Sequence, residues 1–177
     1  MAIPHNKVLI IGANFAGLTA AIRLPRTWDV TVVDPSPHFE WIPGIHEILS
    51  NVKTPRGLQL NRGEIIARAG HRFVQDRATQ IDARRRRVTM ASGDTLAFDA
   101  AIVAVGGVNN TYNIPGVDRH TWAFRDVADS QAIDRRLHAL LRAQPATQVV
   151  VVGGGISGVE ALGELLRRYR DRPDISL

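Results

Sequence analysis

The sequence contains no cysteine, so these 177 residues cannot form disulfides, thiolate metal sites or a redox-active cysteine pair. Lysine is almost absent as well, with Lys7 and Lys53 alone, and the excess of 22 basic over 17 acidic residues comes from arginine. We interpret this surplus as a solvated surface that is compatible with an anionic cofactor or a membrane face. The run Arg84–Arg87 lacks interleaved aromatic residues, which favours a solvated turn over a nucleic-acid site, and no nucleic-acid partner is expected.

Long apolar runs are also missing, and no stretch of 18 residues is free of polar breaks, so no membrane-spanning helix is predicted. Residues 7–24 have some character of a signal peptide, but Asn14 and Arg23 interrupt them and no convincing cleavage site follows. We therefore expect a cytoplasmic location. His38 and His46 have neither a cysteine nor a fitting third ligand, and no metal site is predicted.

One stretch, KVLIIGANFAGLTAAIRL at residues 7–24, organises the first part of the chain. Its apolar run predicts a buried strand, Gly12 ends that run, and apolar residues at helical spacing follow from Phe15. Such a turn directs the first N–H groups of a helix outward, where they attract phosphate. Gly12 and Gly17 occupy the outer positions of the dinucleotide fingerprint G-x-G-x-x-G, and Asn14 replaces its middle glycine.

Two further features support a dinucleotide site. The apolar strand Val30–Val33 ends in Asp34, at about the spacing expected for a carboxylate that binds an adenosine ribose. Much later, the predicted strand 148–152 leads into an intact fingerprint at residues 153–158, and helical spacing follows. Two strand–turn–helix units of this kind argue against a dehydrogenase with a single Rossmann domain.

The remaining chain predicts the connections between these units. Residues 1–6 are expected to be a disordered lead, 35–43 a loop at the ligand crevice, and 45–49 a short helix. Short strand-like pieces follow at 72–75, 78–82, 87–91 and 95–98, then an apolar strand at 100–105. After the crossing at 109–117 come a predicted amphipathic helix at 126–142, a helix at 156–169 and the approach to a strand at 173–177.

These residues together resemble the two-dinucleotide-binding-domain flavoproteins, and most closely the type II NADH dehydrogenases (NADH:quinone oxidoreductases) and their ferroptosis-suppressor-like relatives. The resemblance covers nearly the whole chain. It rests on the first fingerprint with Asp34, on the loop 41–45, on DAAIVAVG at 99–106 with the crossing 113–116, and on GGGISGVEALGEL at 153–165. It implies an α/β fold: a Rossmann-like FAD-binding domain with an inserted β-meander, residues 1–112, and the start of a second Rossmann-like NAD(P)H-binding domain, residues 113–177.

The resemblance also implies roles at matching positions. The FAD pyrophosphate would lie among Gly12, Asn14, Phe15, Ala16 and Gly17, and Asp34 would bind its ribose. Pro43 would pass beside the flavin, Ala78 would lie near the adenine, and Ala104, Val105 and Gly106 would lie near the flavin side. The NAD(P)H pyrophosphate would bind at Gly153, Gly155, Ile156, Ser157 and Gly158. Glu160, in the first turn of its helix, would be the catalytic residue near nicotinamide and flavin.

The implied activity is hydride transfer from NAD(P)H to FAD and electron transfer to a small acceptor such as a quinone. A homodimer and peripheral membrane contact through a part of the family's fold beyond residue 177 are compatible with it. Disulfide-reductase chemistry is excluded by the absence of cysteine, and sulfide oxidation is disfavoured. Asn14 and Val105 depart from the family pattern. The alternative function is a truncated flavin- or nucleotide-binding module without turnover.

Overall fold

A computed structural model describes residues 7–143 and 146–177, and the predicted lead at residues 1–6 lies outside this range. The chain forms two compact units. The first combines Met1–Phe39 with Leu60–Val108, and the second combines Glu40–Gln59 with Asn109–Leu177. Each unit has its own buried apolar clusters. The predicted domain boundary after residue 112 stays a prediction.

The described strands and helices are numbered in chain order. The strands are β1 (Lys7–Ile11), β2 (Asp29–Asp34), β3 (His38–Glu40), β4 (Gln59–Asn61), β5 (Arg72–Gln75), β6 (Ala78–Asp82), β7 (Arg87–Met90), β8 (Thr95–Ala97), β9 (Ala100–Val103), β10 (Thr147–Gln148) and β11 (Ile175–Ser176). The α-helices are α1 (Phe15–Arg23), α2 (Arg62–Arg68), α3 (Val117–His120), α4 (Val127–Ala143) and α5 (Ile156–Tyr169). Two 3-10 helices cover Ile42–Ile48 and Pro55–Leu58.

A parallel sheet with the strand order β5-β2-β1-β9 forms the centre of the first unit. Its central strands are apolar on both faces because both faces are covered. Ile10 and Val32 pack with Ile66 of α2, whereas Leu9 and Val33 pack with a second cluster on the opposite face. Ile11, at the end of β1, is paired with Val33, near the end of the parallel strand β2. The turns that follow these two strands therefore lie at the same edge of the sheet.

An antiparallel three-stranded sheet, β6-β7-β8, supplies the cover for that opposite face through Val88 and Met90. Its second turn contains Gly93 at a φ of +94°, as the predicted hairpin requires. The predicted piece 72–75 does not join this sheet, because it pairs with β2 as an edge of the parallel sheet. The predicted strand 100–105 is shorter, ending at Val103, and Ala104 continues the pairing with one bond to the Ile11 carbonyl.

The second unit is built around α4 and α5. Leu137 of α4 and Ala161, Leu165 and Tyr169 of α5 form a buried cluster with Leu49. A neighbouring cluster joins Ile45, Ile48 and Leu58 to Val127. The predicted helices at 126–142 and 156–169 are confirmed to within one residue. The segment predicted as a short helix at 45–49 is a 3-10 helix that begins earlier, at Ile42.

The predicted strand 148–152 is the largest difference. The structure has only β10, two residues paired in parallel with β11, and one further bond from the Val149 N–H to the Ser176 carbonyl. A strand requires a partner opposite each residue, and β11 supplies two. Val150 and Val152 are consequently 73% and 70% exposed, although the apolar run predicts a buried strand.

Candidate functional site

The turn after β1 brings two of the predicted glycines into contact. Gly12 has a φ of +91°, and a Cβ built on it would lie 2.3 Å from the Ala104 carbonyl oxygen. A Cβ on Gly17 would lie 1.8 Å from the Gly12 carbonyl oxygen. Neither position can therefore hold a larger residue without movement of the backbone. The two glycines allow α1 to start directly against the ends of β1 and β9.

The start of α1 explains how the chain accommodates Asn14 in place of glycine. Asn14 has a φ of −92°, outside the left-handed region that favours glycine, and precedes the helix without a capping bond from its side chain within the described structure. Phe15 is 40% exposed and its ring meets Phe39 edge to face, with centroids 5.1 Å apart. Ala16 is exposed beside it. The amino end of α1 can thus present N–H groups to an anion.

Asp34 ends β2 directly beside this turn. Its Oδ2 accepts a hydrogen bond of 2.8 Å from the Ala13 N–H, and its Oδ1 accepts one of 2.9 Å from the Ser36 N–H. The same Oδ1 forms an ion pair with Nη1 of Arg62, which is buried. The carboxylate predicted from sequence is therefore at the predicted place. The arginine that engages it was not predicted, because no local pattern separates Arg62 from the many other arginines.

The other predicted residues of the first unit lie along the same edge or next to it. The Ala104 N–H donates to the Ile11 carbonyl at 2.7 Å, so Ala104 lies beside Gly12. Val105 and Gly106 follow and are exposed, with Gly106 at a φ of +73°. Ala78 begins β6, three residues after Gln75, which is paired with Asp34. The edge thus collects a glycine turn, a helix start and a carboxylate.

The second unit repeats the steric arrangement of the first turn. Gly153 has a φ of +111°, and a Cβ on Gly158 would lie 2.1 Å from the Gly153 carbonyl oxygen. Gly155 precedes α5 and has no side chain with which to cap it. Ile156 and Ser157 open the helix and are exposed, and a Cβ added to Gly153, Gly154 or Gly155 would contact nothing within 4 Å beyond the neighbouring residues of the chain. This helix start can also receive a phosphate group.

Glu160 differs from its predicted position. The helix begins at Ile156, its first turn holds no acidic residue, and Glu160 is the fifth helical residue. The preference for acidic residues at a helix amino-terminus does not explain Glu160, because that electrostatic effect is confined to the first turn. Its Oε2 lies 3.6 Å from Nδ1 of His46, and the two side chains are 39% and 18% exposed. Both residues belong to the second unit, as does Pro43, which is exposed in the 3-10 helix Ile42–Ile48.

Two classes of site are not found in the described part of the chain. Across residues 7–143 and 146–177, histidine and acidic side chains do not form a group of three that could bind a metal ion. None of the helices in these residues combines the length and the apolar character that crossing a bilayer requires.

The family model of the pyridine nucleotide-disulphide oxidoreductases matches residues 6–171. The chain belongs to this family. One curated relative is the demethylphylloquinone reductase NdbB of Synechocystis sp. The two sequences are 28% identical in an alignment that covers all of this chain and 47% of the relative. A type II NADH:quinone oxidoreductase of Staphylococcus aureus is 26% identical over 95% of the chain and 45% of the relative. The chain spans about half the length of the curated relatives it matches.

Solved structures share the fold of this oxidoreductase-family chain. NDH2 from Plasmodium falciparum in complex with NADH superposes with a TM-score of 0.83 at 22% identity, over 94% of this chain and 38% of that one. The sulfide:quinone oxidoreductase from Aquifex aeolicus superposes with a TM-score of 0.81 at 17% identity, over 96% and 42% of the two chains. The predicted α/β class is therefore confirmed.

Proposed function

We propose that the chain is part of an FAD-dependent oxidoreductase that passes hydride from NAD(P)H to FAD and electrons on to an acceptor such as a quinone. The observation that carries the proposal is the pair of glycine turns. In each unit a glycine at positive φ lies against the last glycine of the fingerprint, and a helix starts there. Family membership and the named activities of the relatives support the same proposal.

The residues of each unit have separate tasks in this proposal. In the first unit, the N–H groups at the start of α1 hold the FAD diphosphate, and Asp34 accepts hydrogen bonds from the adenosine ribose. In the second unit, the turn at residues 153–155 and the start of α5 hold the NAD(P)H diphosphate. When bound, FAD supplies the two-electron chemistry, and the protein supplies orientation and electrostatics. Glu160, held near His46, provides an ionisable group close to the dinucleotide turn.

The acceptor and the surroundings of the enzyme are the finer part of the proposal. A quinone is supported by two relatives whose names identify them as quinone reductases. Because quinones are lipid-soluble, we expect the enzyme to act at the cytoplasmic face of a membrane through peripheral contact. A homodimer is part of the same proposal.

The proposal is tested by absorption spectroscopy of the purified chain after FAD addition and gel filtration. We expect retained flavin bands that bleach when NADH or NADPH is added without oxygen, and the nucleotide that bleaches them identifies the donor. Recovery of the bands on adding a short-chain quinone then tests the acceptor. A chain that neither carries nor takes up FAD contradicts an FAD site formed by this chain by itself and leaves the binding-module alternative to a nucleotide titration.

A variant of the second unit sharpens the result. Gly158→Ala places a Cβ against the Gly153 carbonyl, so we expect retained flavin and at least tenfold slower bleaching. The matched control is Gly163→Ala in the same helix, where the added Cβ meets nothing within 4 Å. Bleaching at the wild-type rate in Gly158→Ala contradicts the assigned donor site.

A further inference from the structure

Arg62 is the unexplained charged residue of the first unit. It is the first residue of α2 and is 4% exposed, although arginine is seldom buried without a compensating partner. Its partner is Asp34, whose side chain is 14% exposed. A buried ion pair of this kind adds little stability compared with apolar residues, yet the loss of one partner is costly. The pair therefore calls for an explanation beyond stability.

Arg62 binds backbone groups as well as the charged side chain of Asp34. Its Nη1 pairs with Asp34 Oδ1 and also donates to the Ser36 carbonyl at 2.6 Å. Its backbone N–H donates to the Pro37 carbonyl at 2.9 Å. Arg62 thus holds the carboxylate and the chain that follows it, so that rotation of the Asp34 side chain would break several bonds together.

The acceptor capacity of Asp34 shows what this orientation leaves available. A carboxylate can accept about four hydrogen bonds, two on each oxygen. Oδ1 accepts from the Ser36 N–H and from Arg62, whereas Oδ2 accepts from the Ala13 N–H. Oδ2 keeps acceptor capacity, and it lies beside Ala13, inside the glycine turn. In the dinucleotide fingerprint the carboxylate that follows the second strand accepts hydrogen bonds from ribose hydroxyl groups, and Oδ2 is the oxygen of Asp34 with the more capacity left to accept them.

We propose that Arg62 is a positioning residue for an adenosine ribose: it occupies Oδ1 of Asp34 and so directs Oδ2 to the ribose hydroxyl groups of the bound dinucleotide. This inference rests on the proposed function, because it requires FAD at the first turn. It assigns Arg62 no contact with the ligand. Its effect should therefore depend on the ribose hydroxyl groups and on Asp34.

The test compares FAD with an FAD analogue whose adenosine ribose lacks the 2′ and 3′ hydroxyl groups. Both are titrated into the apo chain and followed by flavin fluorescence, which reports the flavin site alone. We expect Arg62→Met to weaken FAD binding roughly tenfold, equivalent to about 1.4 kcal/mol, and to change analogue binding by less than about twofold. In an Asp34→Asn background, Arg62→Met should have no further selective effect on FAD.

The control is Arg72→Met, which removes another arginine of the same unit. Arg72 is exposed at the start of β5 and donates to the Thr31 hydroxyl at 2.9 Å, away from the glycine turn. The Arg72→Met variant should bind both ligands with the affinities of the wild type. If Arg62→Met does not fold, as judged by thermal unfolding, Arg62→Lys carries the test, with a smaller selective loss expected because lysine keeps the charge but lacks the fork of donors.

The outcomes separate the two proposals. Equal weakening of both ligands by Arg62→Met, or no weakening of either, overturns the positioning role. FAD binding by the wild type in the same titration upholds the FAD site that the proposed function requires. A wild-type chain that binds neither ligand overturns both.

Discussion

At the scale of single residues, the glycines of the two turns matter because the absence of a side chain lets backbone segments approach each other closely. In the first turn the Gly12 carbonyl occupies the place that a Gly17 side chain would take, and Ala104 occupies the place of a Gly12 side chain. The close contact brings β1, β9 and α1 together at one point. The stability of the first unit should therefore depend strongly on Gly12.

Gly12→Ala is expected to lower the free energy of unfolding by about 3 kcal/mol, because it combines positive φ with a backbone overlap at 2.3 Å. Chemical denaturation measures this change. Gly163→Ala is the opposite case, an exposed glycine within α5 with open space around it, and should raise stability by about 0.5–1 kcal/mol. Equal small effects of both substitutions would contradict the steric argument.

Residue-level prediction from the sequence succeeded where a local pattern carries the information. Asp34 follows an apolar strand at a spacing that places it next to the turn, and the structure has it there. Arg62 and His46 were missed as partners of Asp34 and Glu160, since each pair joins residues distant in sequence. The role of each predicted site residue remains a proposal.

At the scale of elements, helices α4 and α5 were predictable because each has apolar residues at helical spacing over several turns. Periodicity does not reveal the short 3-10 helices, which have no long repeat. It also predicts too long a strand at 148–152, because apolar character alone does not supply a partner strand. Element type follows from local sequence, whereas the length of a strand depends on what lies beside it.

The packing of α4 against α5 leaves Tyr169 with a buried hydroxyl that has no hydrogen-bond partner among the described residues. Burial raises the pKa of this hydroxyl, with Arg168 opposing the shift. Tyr169→Phe should therefore leave the free energy of unfolding unchanged, or raise it by up to about 1 kcal/mol, near pH 8. Urea denaturation of the two proteins measures the difference.

The same residue predicts a dependence on pH. Above about pH 10 the tyrosine of the unfolded chain ionises before the buried one, so the wild type loses stability that Tyr169→Phe keeps. Tyr112→Phe is the control, because Tyr112 is 77% exposed. If the wild type and Tyr169→Phe lose equal stability between pH 8 and about pH 11, burial of the Tyr169 hydroxyl does not cause the loss of stability at high pH.

At the scale of the whole molecule, the chain forms two units that are each assembled from separate segments. The second unit includes Glu40–Gln59, whose Leu49 packs with α4 and α5 more than 80 residues later, at Leu137 and Leu165. No local signal reports such a contact. The succession of strand, turn and helix was readable from the sequence, and the pairing of distant segments was not.

Binding of FAD should stabilise the first unit by mass action. At a free concentration of about 100 times its dissociation constant, FAD is expected to raise the free energy of unfolding by about 2.7 kcal/mol. Thermal unfolding with and without FAD measures the shift. Riboflavin at the same concentration is the control, because it lacks the diphosphate and adenosine that the turn and Asp34 are proposed to hold. Absence of a shift with FAD would contradict the proposed site.

The contact between the outer glycines has a consequence for recognising such proteins. In both turns the interlocked pair is five positions apart, Gly12 with Gly17 and Gly153 with Gly158, while Asn14 shows that the middle position tolerates a side chain at negative φ. The information content of the motif is therefore concentrated in the outer pair. A search profile that weights this pair and relaxes the middle position would detect diverged nucleotide-binding halves that a strict three-glycine pattern rejects.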